Sequence, residues 1–156
     1  PIQLKRAWWS FLAIAEVDHL ICGREIFEYG LGGSTVRWAP SAASWKGVEH
    51  DPEWLALVQD SLDSLQHGHV ELQLSNYRFL HDDGPFADSD YLLALDQPYD
   101  GFYHAENFVK PGGFIVVDDF WRYETLLSKH QAKRVQVFES VGPCRWGVTS
   151  TAVFYY

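Results

Sequence analysis

The sequence predicts a single α/β domain around a mainly parallel sheet with an antiparallel edge. Strand-like apolar runs alternate with helix-like segments over most of the 156 residues, and a glycine-rich turn, Gly30–Thr35, follows the first of these runs. Two further runs, Arg134–Val141 and Thr149–Tyr156, succeed each other through Gly142-Pro143. Strands separated by helices pair in parallel, whereas strands joined by a short turn pair antiparallel. A chain of this length buries one hydrophobic core.

An N-terminal helix is expected within residues 1–23, packing on the core. Its apolar positions recur at helical spacing, and Gly23 stands where a left-handed residue ends a helix. These positions are Leu4, Trp8, Phe11, Leu12 and Ala15.

Two strand–helix units follow. The first strand is predicted at Glu25–Tyr29, and its helix starts at Ser34 or Thr35 and is limited to about two turns by Pro40. The second strand is predicted at Trp45–Val48.

The second helix has a clear start signal, because Asp51 is a favourable N-cap and Pro52 suits the first helical position. Its apolar stripe comprises Trp54, Leu55, Val58, Leu62 and Leu65.

Three more strands and one helix complete the pattern. Strands are predicted at His69–Leu74 and Tyr91–Leu95, and a short helix at Tyr99–Val109. Phe114–Val117 is a continuous apolar run, which is typical of a central strand covered on both faces.

Composition narrows the function classes. A formal net charge of −9 disfavours a nucleic-acid partner, since phosphate binding needs a concentrated basic surface. The two cysteines, Cys22 and Cys144, have no metal-ligand or disulfide-framework spacing, which indicates a reducing, cytoplasmic compartment. The apolar stretch Trp8–Ala15 is too short to span a membrane. We therefore expect a cytoplasmic protein whose partner is neither nucleic acid nor membrane, and we leave its oligomeric state open.

The polar residues that could carry chemistry fall at the carboxyl ends of predicted strands, where open α/β sheets bind ligands. After the first strand, Gly30, Gly32 and Gly33 leave no Cβ between backbone and ligand, and the N–H groups of the next helix favour an anionic group. About 20 residues on, Glu49 ends the second strand. A carboxylate accepts hydrogen bonds from ribose hydroxyls, so this combination indicates a nucleoside cofactor.

Details of the loop distinguish the cofactors. A dinucleotide fingerprint needs a third glycine, and this sequence has Thr35 at that position. The sequence also lacks the Gly-Lys-Ser/Thr of a P-loop. An NAD-linked oxidoreductase remains an alternative, with Thr35 against it.

The loop Glu28-Tyr29-Gly30-Leu31-Gly32-Gly33-Ser34-Thr35 resembles motif I of the class I S-adenosylmethionine-dependent methyltransferases, an acid followed by Gly-x-Gly. Glu49 matches that family's ribose-binding acid, and Lys110-Pro111-Gly112-Gly113 resembles its turn into the fifth strand. The resemblance covers most of Arg24–Tyr156. It implies a three-layer sandwich with a mainly parallel seven-stranded sheet and a C-terminal antiparallel hairpin.

The resemblance also implies which residues contact S-adenosylmethionine. For Glu28 a second interpretation is open, in which its carboxylate bonds the loop itself. The residues expected at the cofactor are Glu28, Tyr29, Gly30, Gly32, Gly33, Ser34, Thr35, Glu49, His50, Asn76 and Tyr77.

Asp96 is the one residue expected near the reacting atom, as a catalytic residue. Asp96-Gln97-Pro98-Tyr99 partly resembles the Asp-Pro-Pro-Tyr motif of amino-group methyltransferases, but Gln97 breaks the pattern. Asp96 could instead join Asp118 and Asp119 around a divalent metal, as in catechol-type O-methyltransferases. That metal site is possible but not favoured over a helix-capping role for one of the last two aspartates.

The sequence thus predicts an S-adenosylmethionine-dependent methyltransferase that methylates oxygen or nitrogen of a small molecule. Besides the oxidoreductase, a catalytically silent binding subunit with the same fold remains an alternative. The chain offers little beyond the core fold to build an acceptor lid, which keeps that alternative open.

Overall fold

The computed structural model describes residues 6–63, 68–75, 102–103, 105–143 and 146–156. These residues group into two compact units, which are described in turn. The first comprises Pro1–Trp8 and Val17–Ser89, and the second Trp9–Glu16 and Asp90–Tyr156. The expectation of a single domain stays a prediction. No helix in the described part of the chain is long and apolar enough to cross a membrane.

The N-terminal helix α1 is Phe11–Leu20, so it begins later than the apolar spacing predicts. Ser10 stands just before it, and the Ser10 hydroxyl accepts a hydrogen bond from the Ala13 N–H at 3.2 Å, which is an N-cap. Phe11 and Leu12 of the predicted stripe are 48% and 55% exposed. The buried apolar side chains of this region are instead Ala13, Ile14, Val17 and Ile21. Gly23 has the positive φ expected after a helix, +69°.

The first unit contains a three-stranded parallel sheet in the order β1-β2-β3. The strands are close to those predicted: β1 is Glu25–Tyr29, β2 is Ser44–Glu49 and β3 is Val70–Leu74. In the pairing register Tyr29 lies opposite Val48 and Glu49 opposite Leu74. The three carboxyl ends therefore meet at one edge of this sheet, as expected for a parallel arrangement.

The connecting helices also follow the sequence signals. Helix α2 is Gly33–Trp38 and passes into a 3-10 turn at Ala39–Ser41, where Pro40 stops the α-helix. Helix α3 is Pro52–Asp63. The Asp51 carboxylate accepts hydrogen bonds from the N–H groups of Glu53 and Trp54 at 2.9 and 3.1 Å, so the predicted N-cap is confirmed. The buried stripe of α3 comprises Leu55, Val58 and Leu62.

The second unit contains a three-stranded antiparallel sheet in the order β4-β6-β5. Strand β4 is Phe114–Val117, β5 is Arg134–Val141 and β6 is Val148–Tyr155. β5 and β6 pair over their whole length, which confirms the C-terminal hairpin. Of the β4 residues only Val117 is fully buried, so the continuous burial expected for this strand is not met.

An aromatic cluster forms the core of the second unit, with Phe154 of β6 in edge contact with Phe102 and Phe120. Its buried members are Phe102, Val117, Phe120, Tyr123, Leu126, Ala152 and Phe154. Tyr123 is therefore a core residue.

The resemblance implies a single seven-stranded sheet, and this expectation is wrong for the described residues, which form two three-stranded sheets. Predicted strand Tyr91–Leu95 lies outside the described residues, and so does most of the helix predicted at Tyr99–Val109. The α/β architecture with parallel strands first and an antiparallel hairpin last is confirmed.

Candidate functional site

The glycine-rich loop joins β1 to α2 at the carboxyl end of the parallel sheet. Gly30 has φ +72°, and its N–H donates to the Val48 carbonyl at 3.0 Å, which extends the β1–β2 ladder by one bond. Gly32 is extended, with φ 177°. Of the three loop glycines, only Gly30 therefore has a backbone conformation that favours glycine.

Leu31 fixes the middle of this loop through three contacts. Its N–H donates to Glu49 Oε2 at 3.1 Å, and its carbonyl accepts from Trp54 Nε1 at 2.7 Å. Its side chain lies over Gly47 of β2, where a Cβ would overlap the Leu31 Cδ2 atom. Both polar groups of this buried peptide are thus satisfied, and the loop is held to β2 and α3.

Glu49 is buried, with 3% of its surface exposed. Its Oε1 accepts the N–H groups of His50 and Asp51 at 2.7 and 3.0 Å and lies 2.8 Å from His50 Nδ1. Its Oε2 accepts the Leu31 N–H. The predicted strand-end acid therefore points at the glycine loop, and His50 lies beside it.

Glu28 bonds the other half of the loop. The hydroxyl of Ser34 donates to its Oε1, and the hydroxyl of Thr35 donates to Oε2 at 2.5 Å. Trp45 Nε1 also donates to Oε2, at 3.2 Å. Burial of this carboxyl, together with the nearby Glu49 charge, raises its pKa to about 7 in spite of these donors. Glu28 thus has the loop-bonding role that was one of its two interpretations.

Thr35 occupies the position of the third dinucleotide-motif glycine and is completely buried. Its hydroxyl accepts the Gly32 N–H at 2.9 Å while donating to Glu28. The threonine side chain therefore closes the loop onto the first turn of α2, a contact that glycine could not make.

Gly32 and Gly33 have different surroundings. Gly32 is buried, yet a Cβ there would meet no described atom within 4 Å, so the described residues leave space beside its backbone. At Gly33 a Cβ would overlap the carbonyl oxygen of Arg6 and lie 2.6 Å from the Arg6 carbonyl carbon. The chain itself therefore requires glycine at residue 33, and the free space is at residue 32.

Of the remaining predicted site residues, the structure describes Tyr29 alone among four. Tyr29 is half-buried, with its ring 4.7 Å from that of Phe27. Asn76, Tyr77 and Asp96 lie outside the described residues. Their roles stay predictions.

Asp118 and Asp119 directly follow β4 and accept hydrogen bonds from β6. Thr151 Oγ1 donates to Asp118 at 3.1 Å, and Thr149 Oγ1 to Asp119 at 3.4 Å. Asp119 is left-handed, with φ +49°, at the start of a 3-10 turn whose N–H groups its side chain does not cap. No group of three metal-ligating side chains occurs in the described part of the chain. Asp96 lies beyond that part, so the metal site remains untested.

Sequence reasoning missed the roles of two tryptophans. Trp45 and Trp54 were assigned to a strand and to an apolar stripe, but their indole N–H groups bond Glu28 and Leu31 of the loop. Indole N–H groups in buried positions require acceptors, which is the signal that was available.

Comparison with known proteins shows a likeness of structure alone. No protein-family model and no curated protein sequence matches the chain. An O-methyltransferase, TomG from Streptomyces achromogenes, solved with S-adenosylmethionine, aligns with TM-score 0.68 and 17% identity, over 92% of this chain and 78% of its own.

Two further structures are similarly close. The rRNA methylase from Streptococcus thermophilus has TM-score 0.65 and 12% identity, over 92% of this chain and 94% of its own. The N-methyltransferase NodS from Bradyrhizobium japonicum, solved with S-adenosylhomocysteine, has TM-score 0.64 and 14% identity, over 92% and 85%.

Proposed function

We propose that this chain, which has the fold of the class I S-adenosylmethionine-dependent methyltransferases, is itself such an enzyme and methylates oxygen or nitrogen of a small molecule. The observation that carries the proposal is the glycine loop held by Leu31 between Glu49 and Trp54 at the carboxyl edge of the parallel sheet. Loops at this edge bind ligands in open α/β folds.

The residues of the loop fit a nucleoside cofactor. The open space beside Gly32 admits a ligand to bare backbone. Glu49 Oε2 accepts one hydrogen bond from the described residues, and a carboxylate oxygen has two lone pairs. A ribose hydroxyl could donate to the second. We assign Glu49 to the ribose and Gly30, Leu31 and Gly32 to the methionine portion.

When bound, S-adenosylmethionine supplies an electrophilic methyl group on its sulfonium. The protein's main task is then to hold the acceptor atom in line with that methyl group and to keep water out. We retain Asp96 as the proposed residue next to the acceptor atom. A base is needed there only where the acceptor is a hydroxyl.

Thr35 argues against the alternative cofactor. The third glycine of a dinucleotide loop permits close helix–strand packing, whereas here a buried threonine hydroxyl joins Gly32 to Glu28. The local packing is built around this side chain, so we favour S-adenosylmethionine over NAD.

The fold does not select the acceptor, because the three neighbours named above are an O-methyltransferase, an rRNA methylase and an N-methyltransferase. Charge favours a small molecule. With a net charge of −9, this chain would be repelled by the phosphates of RNA unless a local basic surface compensates.

Calorimetric titration with S-adenosylhomocysteine and, separately, with NADH tests the cofactor assignment. We expect binding of the former alone. Binding of NADH alone would support the oxidoreductase. Transfer of labelled methyl to a panel of amines, phenols and total RNA then tests the rest. Methylated RNA would overturn the small-molecule assignment, and binding without transfer to any acceptor would favour the silent binding subunit.

A further inference from the structure

The chain segment Arg6–Trp8, which we term the strap, lies against the start of α2 in the first unit. Ala7 is buried, with 1% of its surface exposed, whereas Trp8 is 44% exposed. The strap backbone approaches Gly33 so closely that a Cβ at residue 33 would overlap the Arg6 carbonyl oxygen.

The atoms on both sides of this contact belong to the backbone. A Cβ at residue 33 would lie 2.6 Å from the Arg6 carbonyl carbon and 3.2 Å from the Arg6 nitrogen. A side chain could rotate out of the way, but three atoms of one peptide segment can yield only if the strap moves. Glycine at residue 33 is therefore a condition for seating the strap.

The adjacent residue shows which side of the loop stays available. At Gly32 an added Cβ would meet no described atom within 4 Å. Gly33 thus contacts the backbone of Arg6, whereas the described residues leave space beside Gly32. This division suits a loop that is braced by the strap at residue 33 and receives a ligand at residue 32.

We propose that the strap is a positioning element for the cofactor loop: its seating on Gly33 holds the loop in the conformation that binds S-adenosylmethionine. The inference rests on the proposed function for the identity of the ligand. By linkage, a ligand that binds the braced loop must in turn hold the strap in place.

Limited trypsin digestion measures the strap directly, because the Arg6–Ala7 bond is a trypsin site and its cleavage requires Ala7 to leave its buried position. Mass spectrometry reports cleavage after Arg6, and cleavage after Lys129 in the second unit serves as an internal reference. We expect saturating S-adenosylhomocysteine to slow cleavage after Arg6 and to leave cleavage after Lys129 unchanged.

Gly33→Ala should release the strap. We expect cleavage after Arg6 to become at least about tenfold faster and S-adenosylhomocysteine to bind about tenfold more weakly, the factor that corresponds to 1.4 kcal/mol. Ala7→Gln is a second variant, which disturbs the buried seat while leaving the glycine loop intact. It should change both measurements in the same direction, and circular dichroism verifies that each variant is folded.

Two glycine variants serve as controls. Gly68→Ala adds a Cβ that has no described atom within 4 Å, in a turn away from the glycine loop. It should change neither measurement. Gly32→Ala should leave cleavage after Arg6 unchanged while weakening ligand binding, because its Cβ would enter the ligand's space and not the strap's.

Unchanged cleavage in folded Gly33→Ala would overturn the seating of the strap. Faster cleavage in the presence of S-adenosylhomocysteine would overturn its positioning role, since strap and ligand would then compete. If wild-type protein binds no S-adenosylhomocysteine, the proposed function fails and the coupling with it, while the comparison of cleavage rates still decides whether Gly33 seats the strap.

Discussion

Glu28 and Glu49 hold different parts of the glycine loop. Glu28 accepts the hydroxyls of Ser34 and Thr35, and Glu49 accepts the backbone N–H of Leu31. The Glu49 carboxylate also accepts hydrogen bonds from two further backbone N–H groups. The donors of Glu28 do not offset the cost of burying its charge, which is why its pKa rises to about 7.

This pKa makes stability depend on pH. The folded protein keeps the Glu28 proton up to about pH 7, whereas an unfolded chain releases it near the ordinary value of 4.5. Between these two pH values the folded state binds more protons than the unfolded chain. The stabilisation of the folded state by protonated Glu28 is therefore fully present below pH 4.5 and is lost as the pH rises to 7. We expect the free energy of unfolding of the wild-type protein to fall by on the order of 2–3 kcal/mol over this pH range because of Glu28, and we expect Glu28→Gln to lack this decrease.

Urea unfolding at several pH values between 4.5 and 8 measures the effect. Glu25→Gln is the matched control, because Glu25 is an exposed carboxylate on the same strand. The wild-type protein and this control should lose stability more steeply than Glu28→Gln. Equal pH dependence in all three proteins would show that Glu28 ionises normally.

At the scale of single elements, capping residues decide where helices begin. Asp51 satisfies two N–H groups at the start of α3. We expect Asp51→Ala to lower the free energy of unfolding by about 1 kcal/mol.

Asp60→Ala is the control for that variant, since Asp60 is exposed in the second half of α3. An acid there is unfavourable to the helix dipole, so its removal should not destabilise the protein. Urea denaturation of both variants checks the prediction. Equal losses of stability would mean that the Asp51 cap contributes nothing specific.

The elements that the sequence predicted well have local signals. Asp51 and Pro52 mark the start of α3, Pro40 ends α2, and Gly142-Pro143 separates the strands of the hairpin. The apolar spacing, which extends back through Trp8, predicts an earlier start for helix α1 than the observed start at Phe11. The Ser10 cap and the burial of Val17 outweigh that periodicity.

At the scale of the whole molecule, the sequence predicted parallel strands followed by an antiparallel hairpin, and the edge at which the loop and Glu49 meet. It could not predict that Trp45 and Trp54 bond this loop, or that Gly47 leaves room for Leu31. These contacts join residues 16 to 23 positions apart, and only the folded sheet brings them together.

The seating of the strap on Gly33 is likewise a contact between residues that are distant in the sequence. In the sequence, Gly33 looks like one more glycine of a ligand-binding loop. No neighbouring residue in the sequence indicates that the Arg6 backbone lies against it. Contacts between distant backbone segments leave no periodicity in a sequence. The strand-end positions of the candidate site were therefore predictable, whereas the backbone contact between Arg6 and Gly33 was not.

The central claim is that the glycine loop binds S-adenosylmethionine while Glu49 bonds its ribose, and calorimetric titration of Glu49→Gln with S-adenosylhomocysteine tests it most directly. Glu71→Gln is the control, because Glu71 is an exposed carboxylate on β3 that pairs only with surface Lys46 at 3.3 Å among the ion pairs of the described residues. We expect Glu49→Gln to weaken binding by about 1.5–3 kcal/mol, roughly 10- to 150-fold, and Glu71→Gln to bind as the wild type does. Equal affinity of folded Glu49→Gln and wild-type protein would contradict the claim.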